Sequence, residues 1–214
     1  MLIYGSTMSP FVRKVVAFAA EKQVEIDLKA VGIGDTDPGF RAASPFGKMP
    51  ALDDAGFTLA DSSAICHYLE AKHPDLPLIP QEAQARGKTI WYEEFADTIL
   101  FACAGAMFFN RVVAPRFLGR DGDLAAADKA ERETLPPLLD YLEGIIPDSN
   151  YLVGDRLTLA DLAVASPFAN LAHGGATIDA GRYPKVEAYV AAILARPSFA
   201  ASLARETAFL ARPM

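Results

Sequence analysis

Cysteine is scarce in this chain: Cys66 and Cys103 are the only two among 214 residues, they stand 37 positions apart in apolar company, and no CxxC pair exists. A dithiol redox couple and a zinc site of adequate ligand count are thereby excluded, and no metal is expected. Basic runs are equally short. None exceeds the pair Arg13-Lys14, and 20 Lys and Arg against 27 Asp and Glu leave a formal net charge of −7. A phosphate backbone would meet a repelling field, so nucleic acid is not expected as a partner. Long apolar runs are missing too. The longest, Ile99 to Phe109, has 11 residues, short of the roughly 18 to 20 that a membrane span requires, so no membrane is expected either. The opening Met1-Leu2-Ile3-Tyr4-Gly5 has neither the basic nor the apolar region of a signal peptide, and the expectation is a cytoplasmic protein. What the chain does have is core material. With 51% apolar and 22% charged residues, and 15 each of Gly and Pro, it is neither disordered, collagen-like nor a coiled coil. At roughly 150 residues per domain, its length admits one large domain or two small ones.

The sharpest break is His73-Pro74-Asp75-Leu76-Pro77-Leu78-Ile79-Pro80, where prolines forbid a helix and bias their predecessors toward extended backbone. It divides residues 1–76 from a linker at 77–84 and a second domain at 85–214. Before it, Leu2 to Tyr4 reads as a short buried strand, and Pro10 to Lys22 as a helix with Val12, Val15, Val16 and Ala19 on one face. Glu25 to Ala30 alternates polar with apolar residues, as a strand with one wet face does. Strand, helix, strand is a βαβ unit with parallel strands and a right-handed crossover. After a Gly- and Asp-rich loop, Pro50 to Asp53 and Phe57 to Ala60 flank Asp54-Ala55-Gly56 as a hairpin, and a helix runs from Asp61 or Ser62 to Lys72.

Beyond the prolines the period becomes helical in at least five segments. Val186, Tyr189, Val190, Ile193 and Leu194 share one face of a helix, as do Leu135, Leu138, Leu139, Leu142 and Ile146, where Pro136-Pro137 must start or kink the helix. Thr158 and Asp161 form a variant capping box, with Leu157 stapled to Leu162, whose plain role is helix initiation. The fold class expected is a small α/β sheet domain followed by an all-α bundle.

Three clusters could carry chemistry. Ser9-Pro10 opens the first helix directly after a strand, at the edge where open α/β sheets bind ligands. Ser9 can cap that helix by accepting the Val12 N–H; it can also donate its own proton to an anion that the helix N-terminus attracts, a thiolate included. Gly47-Lys48-Met49-Pro50-Ala51 precedes the third strand. Pro may simply stand at a strand's first residue, whereas a cis Met49-Pro50 bond would let the Met49 backbone pair with an extended peptide. Asp61-Ser62-Ser63 is ordinary capping chemistry at the next helix start.

Taken together, Ser9-Pro10-Phe11-Val12-Arg13-Lys14-Val15, Ser44-Pro45-Phe46-Gly47-Lys48-Met49-Pro50-Ala51-Leu52, Asp61-Ser62-Ser63-Ala64-Ile65 and Leu157-Thr158-Leu159-Ala160-Asp161 resemble the glutathione transferase superfamily, in its serine-type classes such as tau, theta and zeta. The order and spacing of these pieces cover nearly the whole chain. The resemblance implies a thioredoxin-like N-terminal domain of order βαβββα, an all-helical C-terminal domain, a homodimer, and glutathione as co-substrate. It puts the glutathione sulfur beside Ser9 and Phe11, the cysteinyl backbone against Met49 before a cis Pro50, the γ-glutamyl carboxylate on Ser62, its ammonium by Asp61, and the glycyl end near Lys48. Asp61 stands where Glu or Gln is commoner, Ser44 where Asn is frequent, and Met49 where Val or Ile is usual. Omega-type members carry Cys where this chain has Ser9, which argues against a mixed-disulfide mechanism.

In that frame Ser9 is a donor to a thiolate, and no general base is needed; His67, His73 and His173 read as structural or solvated. Tyr4 and Thr7 are rival hydroxyls for the sulfur. The acceptor pocket is expected between the domains, from Met8, Phe11, Phe108, Phe109, Arg111 and Phe117, although an aromatic stripe at helical spacing also serves as core. The activity expected is attack of the thiolate on a small hydrophobic electrophile, with a detoxifying role. A glutathione-dependent isomerase or dehalogenase, or a non-catalytic binding module on the same fold, are the alternatives. Phe46, a large apolar residue on a loop, is the expected dimer contact.

Overall fold

The computed structural model describes residues 1–213; Met214, the last residue of the expected second domain, lies outside them. Strands β1 (Leu2–Tyr4), β2 (Asp27–Lys29), β3 (Ala51–Asp54) and β4 (Phe57–Ala60) form one sheet in the order β2-β1-β3-β4. β1 and β2 are parallel and joined by helix α1 (Pro10–Glu21); β1 with β3 and β3 with β4 are antiparallel. Strand side chains alternate between two faces. Ile3 and Leu52 enter the main core, whereas Tyr4 and Ala51 join a smaller one with Val31 and Phe40. Helix α3 (Ser62–Lys72) packs beside α1 and completes a thioredoxin-like domain.

Two elements differ from the sequence expectation. Residues Pro38–Ala43, expected as loop, form a short helix α2. Asp37 caps it by accepting the Phe40 N–H at 2.9 Å, Pro38 supplies the first turn, and Phe40 is fully buried beneath the sheet. Strand β2 is shorter than expected, and none of its residues is buried. It is the sheet's edge, paired only with β1; of the expected apolar face, Ile26, just before the strand, packs against the main core, while Leu28 is exposed. The hairpin turn is two residues, Ala55 and Gly56, with φ of 53° and 93°, the doubly positive geometry that matches strand twist. Asp54 therefore belongs to β3.

The second domain consists of α4 (Ala83–Phe117), α5 (residues 124–145), α6 (Leu159–His173), α7 (Pro184–Leu194) and α8 (Pro197–Leu210). α4 begins within the stretch 77–84 expected as linker, because Glu82 caps it by accepting the Gln84 and Ala85 N–H groups. α4 is long and apolar enough to cross a membrane by length and composition only, a test that the core helix of a soluble protein passes as well; its inner side packs against α6. It carries two π-helical turns, Phe95–Leu100 and Phe109–Val113, and α5 carries one at Ala130–Thr134, just before the paired prolines. α6 is the axis of the bundle: every residue from Leu159 to Leu171 is buried. The Asp161 carboxylate at its start accepts the backbone N–H of Thr158 and of Leu152, each at 2.8 Å, and the Thr158 and Tyr189 hydroxyls at 3.1 and 3.2 Å. The segment between the domains is tied down. Glu70 accepts the Leu78 and Ile79 N–H groups at 3.3 and 3.1 Å, Lys22 reaches Glu70 at 2.6 Å and the Leu76 carbonyl at 2.8 Å, and the Leu159 N–H donates to the Leu78 carbonyl at 2.9 Å.

Candidate active site

The strand register brings the three sequence clusters to one edge. Tyr4 pairs with Ala51 and Ala51 with Ala60, so the next residues, Gly5, Pro50 and Asp61, leave the sheet side by side. Gly5 lets α1 fold back closely, since a Cβ there would stand 2.5 Å from a Val12 methyl carbon.

Ser9 occupies the N-cap position of α1 with extended backbone, and Pro10 follows at N1. The expected side-chain cap is not made: the Ser9 hydroxyl accepts no N–H from the first turn. Pro10 has no N–H, and those of Phe11 and Val12 precede the first intrahelical bond, so the helix end presents free donors beside an uncommitted hydroxyl. The Met49-Pro50 bond is cis. The Ser44 hydroxyl holds the loop before it, donating to the Lys48 carbonyl at 2.7 Å and accepting the Lys48 N–H at 3.0 Å; the Lys48 side chain is exposed.

At α3, Asp61 has φ 84°, a conformation costing roughly 1–3 kcal/mol for a non-glycine residue. Its carboxylate caps the helix, accepting the Ser63 and Ala64 N–H groups at 2.9 and 3.1 Å. Ser62 is buried, and its hydroxyl and that of Ser63 lie 3.4 and 3.3 Å from the Asp97 carboxylate on α4. Asp97 in turn meets the Lys14 ammonium at 2.5 Å, and Glu93 meets it at 2.9 Å. Burial works against the Lys14 charge, but the two carboxylates outweigh it and hold its pKa above the usual lysine range. The sequence reading missed this cluster; the signal available was two acids four residues apart, Glu93 and Asp97, on the long helix.

Met8, Ser9, Phe11, Met49, Phe108, Phe109 and Phe117 line one cavity of about 580 Å³ between the domains. Lys48, Pro50, Asp61 and Ser62 stand outside its lining. Phe11 packs edge-on against Phe101, ring centres 4.5 Å apart. Phe101, Gly105 and Val113 of α4, and Val31 and Ile33 after β2, are also in the walls; Phe101 and Gly105 could have been found from their i−7 and i−3 spacing to Phe108.

Arg111, expected in this pocket, points away from it. Its guanidinium bonds Asp128 at 2.7 Å, Glu131 at 2.6 Å and the Gly174 carbonyl at 3.1 Å, since two residues past Phe109 is nearly the opposite face of the helix. Tyr4 is buried against Phe40 on the far side of the sheet, and Thr7 lies beside Glu206; neither lines the cavity that Ser9 faces. His67 lies 3.9 Å from Glu93, His73 ends α3, and His173 meets Glu206 at 3.0 Å. Burial pushes the Cys66 thiol well up and that of Cys103 to about 11, so neither is a nucleophile.

The loop bearing Ser9 is held from the second domain. Asn170 donates to the Met8 carbonyl at 2.8 Å and Ser166 to the Pro10 carbonyl at 2.8 Å. Arg13, fully buried, donates to Asn170 at 2.9 Å, to the Ser166 carbonyl at 2.8 Å, and through two nitrogens to Glu206.

Residues 3–77 match the family "Glutathione S-transferase, N-terminal domain", and residues 110–206 match "Glutathione S-transferase, C-terminal domain". Glutathione S-transferase 4 of Zea mays is 33% identical over 208 residues, covering 92% of this chain and 88% of its own. Among solved structures, a glutathione S-transferase from Rhodospirillum rubrum F11 superposes with a TM-score of 0.83 at 26% identity, over 92% of this chain and 89% of its own. Glutathione S-transferase-I bound with lactoylglutathione gives a TM-score of 0.83 at 25% identity, over 95% and 98%. With both halves matched and relatives aligned along nearly its full length, the chain belongs to the glutathione S-transferase family and is a glutathione transferase.

Proposed function

We propose that the Ser9 hydroxyl and the amino end of α1 hold glutathione as its thiolate, which attacks a small hydrophobic electrophile seated in the cavity between the domains. The observation that carries this is the uncommitted Ser9 hydroxyl at a helix start, on the wall of a cavity whose lining includes five phenylalanines. A thiol of pKa about 8.5 is only a few per cent ionised at neutral pH, and lowering it by roughly two units requires about 2.7 kcal/mol. One hydrogen bond to a charged group supplies roughly 1.5–3 kcal/mol and a helix N-terminus roughly 0.3–1 kcal/mol, so no base is needed. In a substitution, the sulfur–carbon bond forms while the carbon–halogen bond breaks, and halide leaves with its electron pair. Met49 offers backbone to the tripeptide, Ser62 and Asp61 its γ-glutamyl end, and Lys48 its glycyl carboxylate. The lactoylglutathione held by the structural relative supports glutathione as co-substrate. A detoxifying, cytoplasmic homodimer fits this reading, with Phe46, 89% exposed, as the contact between copies; light scattering giving a monomer would remove the dimer.

The test is the ultraviolet difference spectrum of bound glutathione near neutral pH. Thiolate absorbance is expected with the wild-type protein. In Ser9→Ala the apparent thiol pKa should rise by roughly one to two units and turnover fall by about 10- to 100-fold. Equal spectra and rates in the two proteins would remove Ser9 from the chemistry.

A further inference from the structure

A second cavity, about 260 Å³, opens beside the first and shares Ser6, Met8 and Phe117 with it. The two differ in charge. Among the described residues, the one ionisable side chain lining the larger is Asp35, whereas the smaller is lined by Arg205 and Glu206. Glu206 is neutralised from behind by Arg13, whose Nη2 stands 2.7 Å from it, and His173 Nε2 lies 3.0 Å away. Arg205 is exposed and makes only a long 3.4 Å contact with the Ser202 hydroxyl.

Three further arginines lie on the aromatic rings that border these cavities. The Arg116 and Arg212 guanidinium groups are 5.4 and 5.9 Å from the Phe209 ring centre, and that of Arg120 is 5.6 Å from Phe109. Phe117 and Phe209 themselves stack, centres 5.6 Å apart and planes within 14°. Among the described residues, Arg116, Arg120 and Arg205 form no ion pair. In a chain of net charge −7, an unneutralised cationic rim around one cleft is a local reversal of field, and such a cleft concentrates anions.

We propose that this smaller cavity is an anion subsite for the acceptor, so that the preferred electrophiles are aromatic compounds bearing a carboxylate or similar acidic group. The arene packs among the phenylalanines near Ser9, and the acid passes the Phe117–Phe209 stack to Arg205. Guanidinium suits such a group because its planar fork matches a carboxylate. This assignment rests on the thiolate reading above for the reaction, but binding tests it separately.

The experiment compares two haloarenes, neutral chlorodinitrobenzene and anionic chlorodinitrobenzoate, each corrected for its uncatalysed rate with glutathione. The ratio of kcat/KM, acid over neutral, should fall about fivefold or more in Arg205→Gln, recover in part in Arg205→Lys, and shrink with added salt. A ratio unchanged in Arg205→Gln overturns the subsite. Calorimetry with the unreactive dinitrobenzoate and dinitrobenzene makes the same comparison without turnover. Tighter binding of the acid that Arg205→Gln abolishes upholds the subsite even if neither haloarene reacts, and that failure to react would count against the thiolate reading alone. Equal binding of acid and neutral arene by the wild-type protein overturns the subsite.

Discussion

Arg13 and Glu206 meet across the domain boundary through two parallel contacts, Nη2 to Oε2 at 2.7 Å and Nε to Oε1 at 3.1 Å, with neither side chain more than 2% exposed. Removing one partner of such a pair leaves the other charged and dry, at roughly 3–5 kcal/mol. Glu206→Gln should therefore lower Tm by about 10 °C, at roughly 2–4 °C per kcal/mol for a chain of this size. The pH dependence follows. Burial works against the Glu206 charge, but His173 and Arg13 outweigh it and hold its carboxyl below the usual range. A depressed folded pKa gives stability that is complete above the ordinary carboxylate value, about 4.3, and is lost as pH falls through the lower folded one. Thermal melts between neutral pH and about pH 3 should thus drop more steeply in the wild type than in Glu206→Gln; parallel curves would remove Glu206 as an acid-sensitive support.

Asn170 should act on catalysis at one remove. Its Oδ1 accepts from Arg13 and its Nδ2 donates to the Met8 carbonyl, next to Ser9. Asn170→Asp keeps the acceptor and turns the donor into an oxygen facing that carbonyl. The expected result is a kcat/KM lower by about tenfold, from one lost buried hydrogen bond plus repulsion, with the midpoint of its pH profile moved upward as the Ser9 loop loosens. A merely structural role would lower Tm and leave that midpoint unchanged.

The two-domain division, the βαβ unit, the hairpin and the capping of α6 were all legible, because each rests on local pattern: prolines, period and caps. Ser9, Met49, Phe108, Phe109 and Phe117 were legible as candidates for the same reason, lying at element starts or at helical spacing, whereas Phe101 was passed over. What escaped was non-local. Arg13 and Lys14 read as a basic pair on a helix, yet both are buried, because their carboxylate partners Glu206, Glu93 and Asp97 stand 79 or more positions away. The π turns of α4 escaped as well. The expectation for Arg111 failed for a simpler reason: it follows Phe109 by two residues, and positions i and i+2 of a helix do not share a face, so with Phe109 in the cavity Arg111 faces α5.

That misplacement gives a prediction of its own. Arg111 joins α4 to Asp128 and Glu131 through contacts that are partly exposed, with side-chain accessibilities of 18%, 55% and 33%. Exposed pairs are worth roughly 0.2–1 kcal/mol each, discounted for screening. Arg111→Ala should lower stability by about 1 kcal/mol and leave the KM for the electrophile near its wild-type value. A KM rise of an order of magnitude with unchanged Tm would return Arg111 to the pocket.

Gly105 offers the opposite case, a position where one methyl group should reshape the cavity. A Cβ there would stand 3.0 to 3.2 Å from three ring atoms of Phe101, all side chain, and both residues line the cavity. The ring also packs against Phe11, centres 4.5 Å apart, and Phe11 lines the cavity too, so a shift of the ring moves a cavity wall. Gly to Ala in a helix interior is worth up to about 1 kcal/mol, which offsets the crowding. Gly105→Ala should therefore keep or slightly raise Tm while the displaced ring narrows the cavity, so kcat/KM for a bulky electrophile falls about tenfold and that for the smallest haloalkane changes little. Steady-state rates with a series of electrophiles graded by size check this, and a uniform loss across the series would mean that the substitution disturbs the thiolate end instead of the pocket.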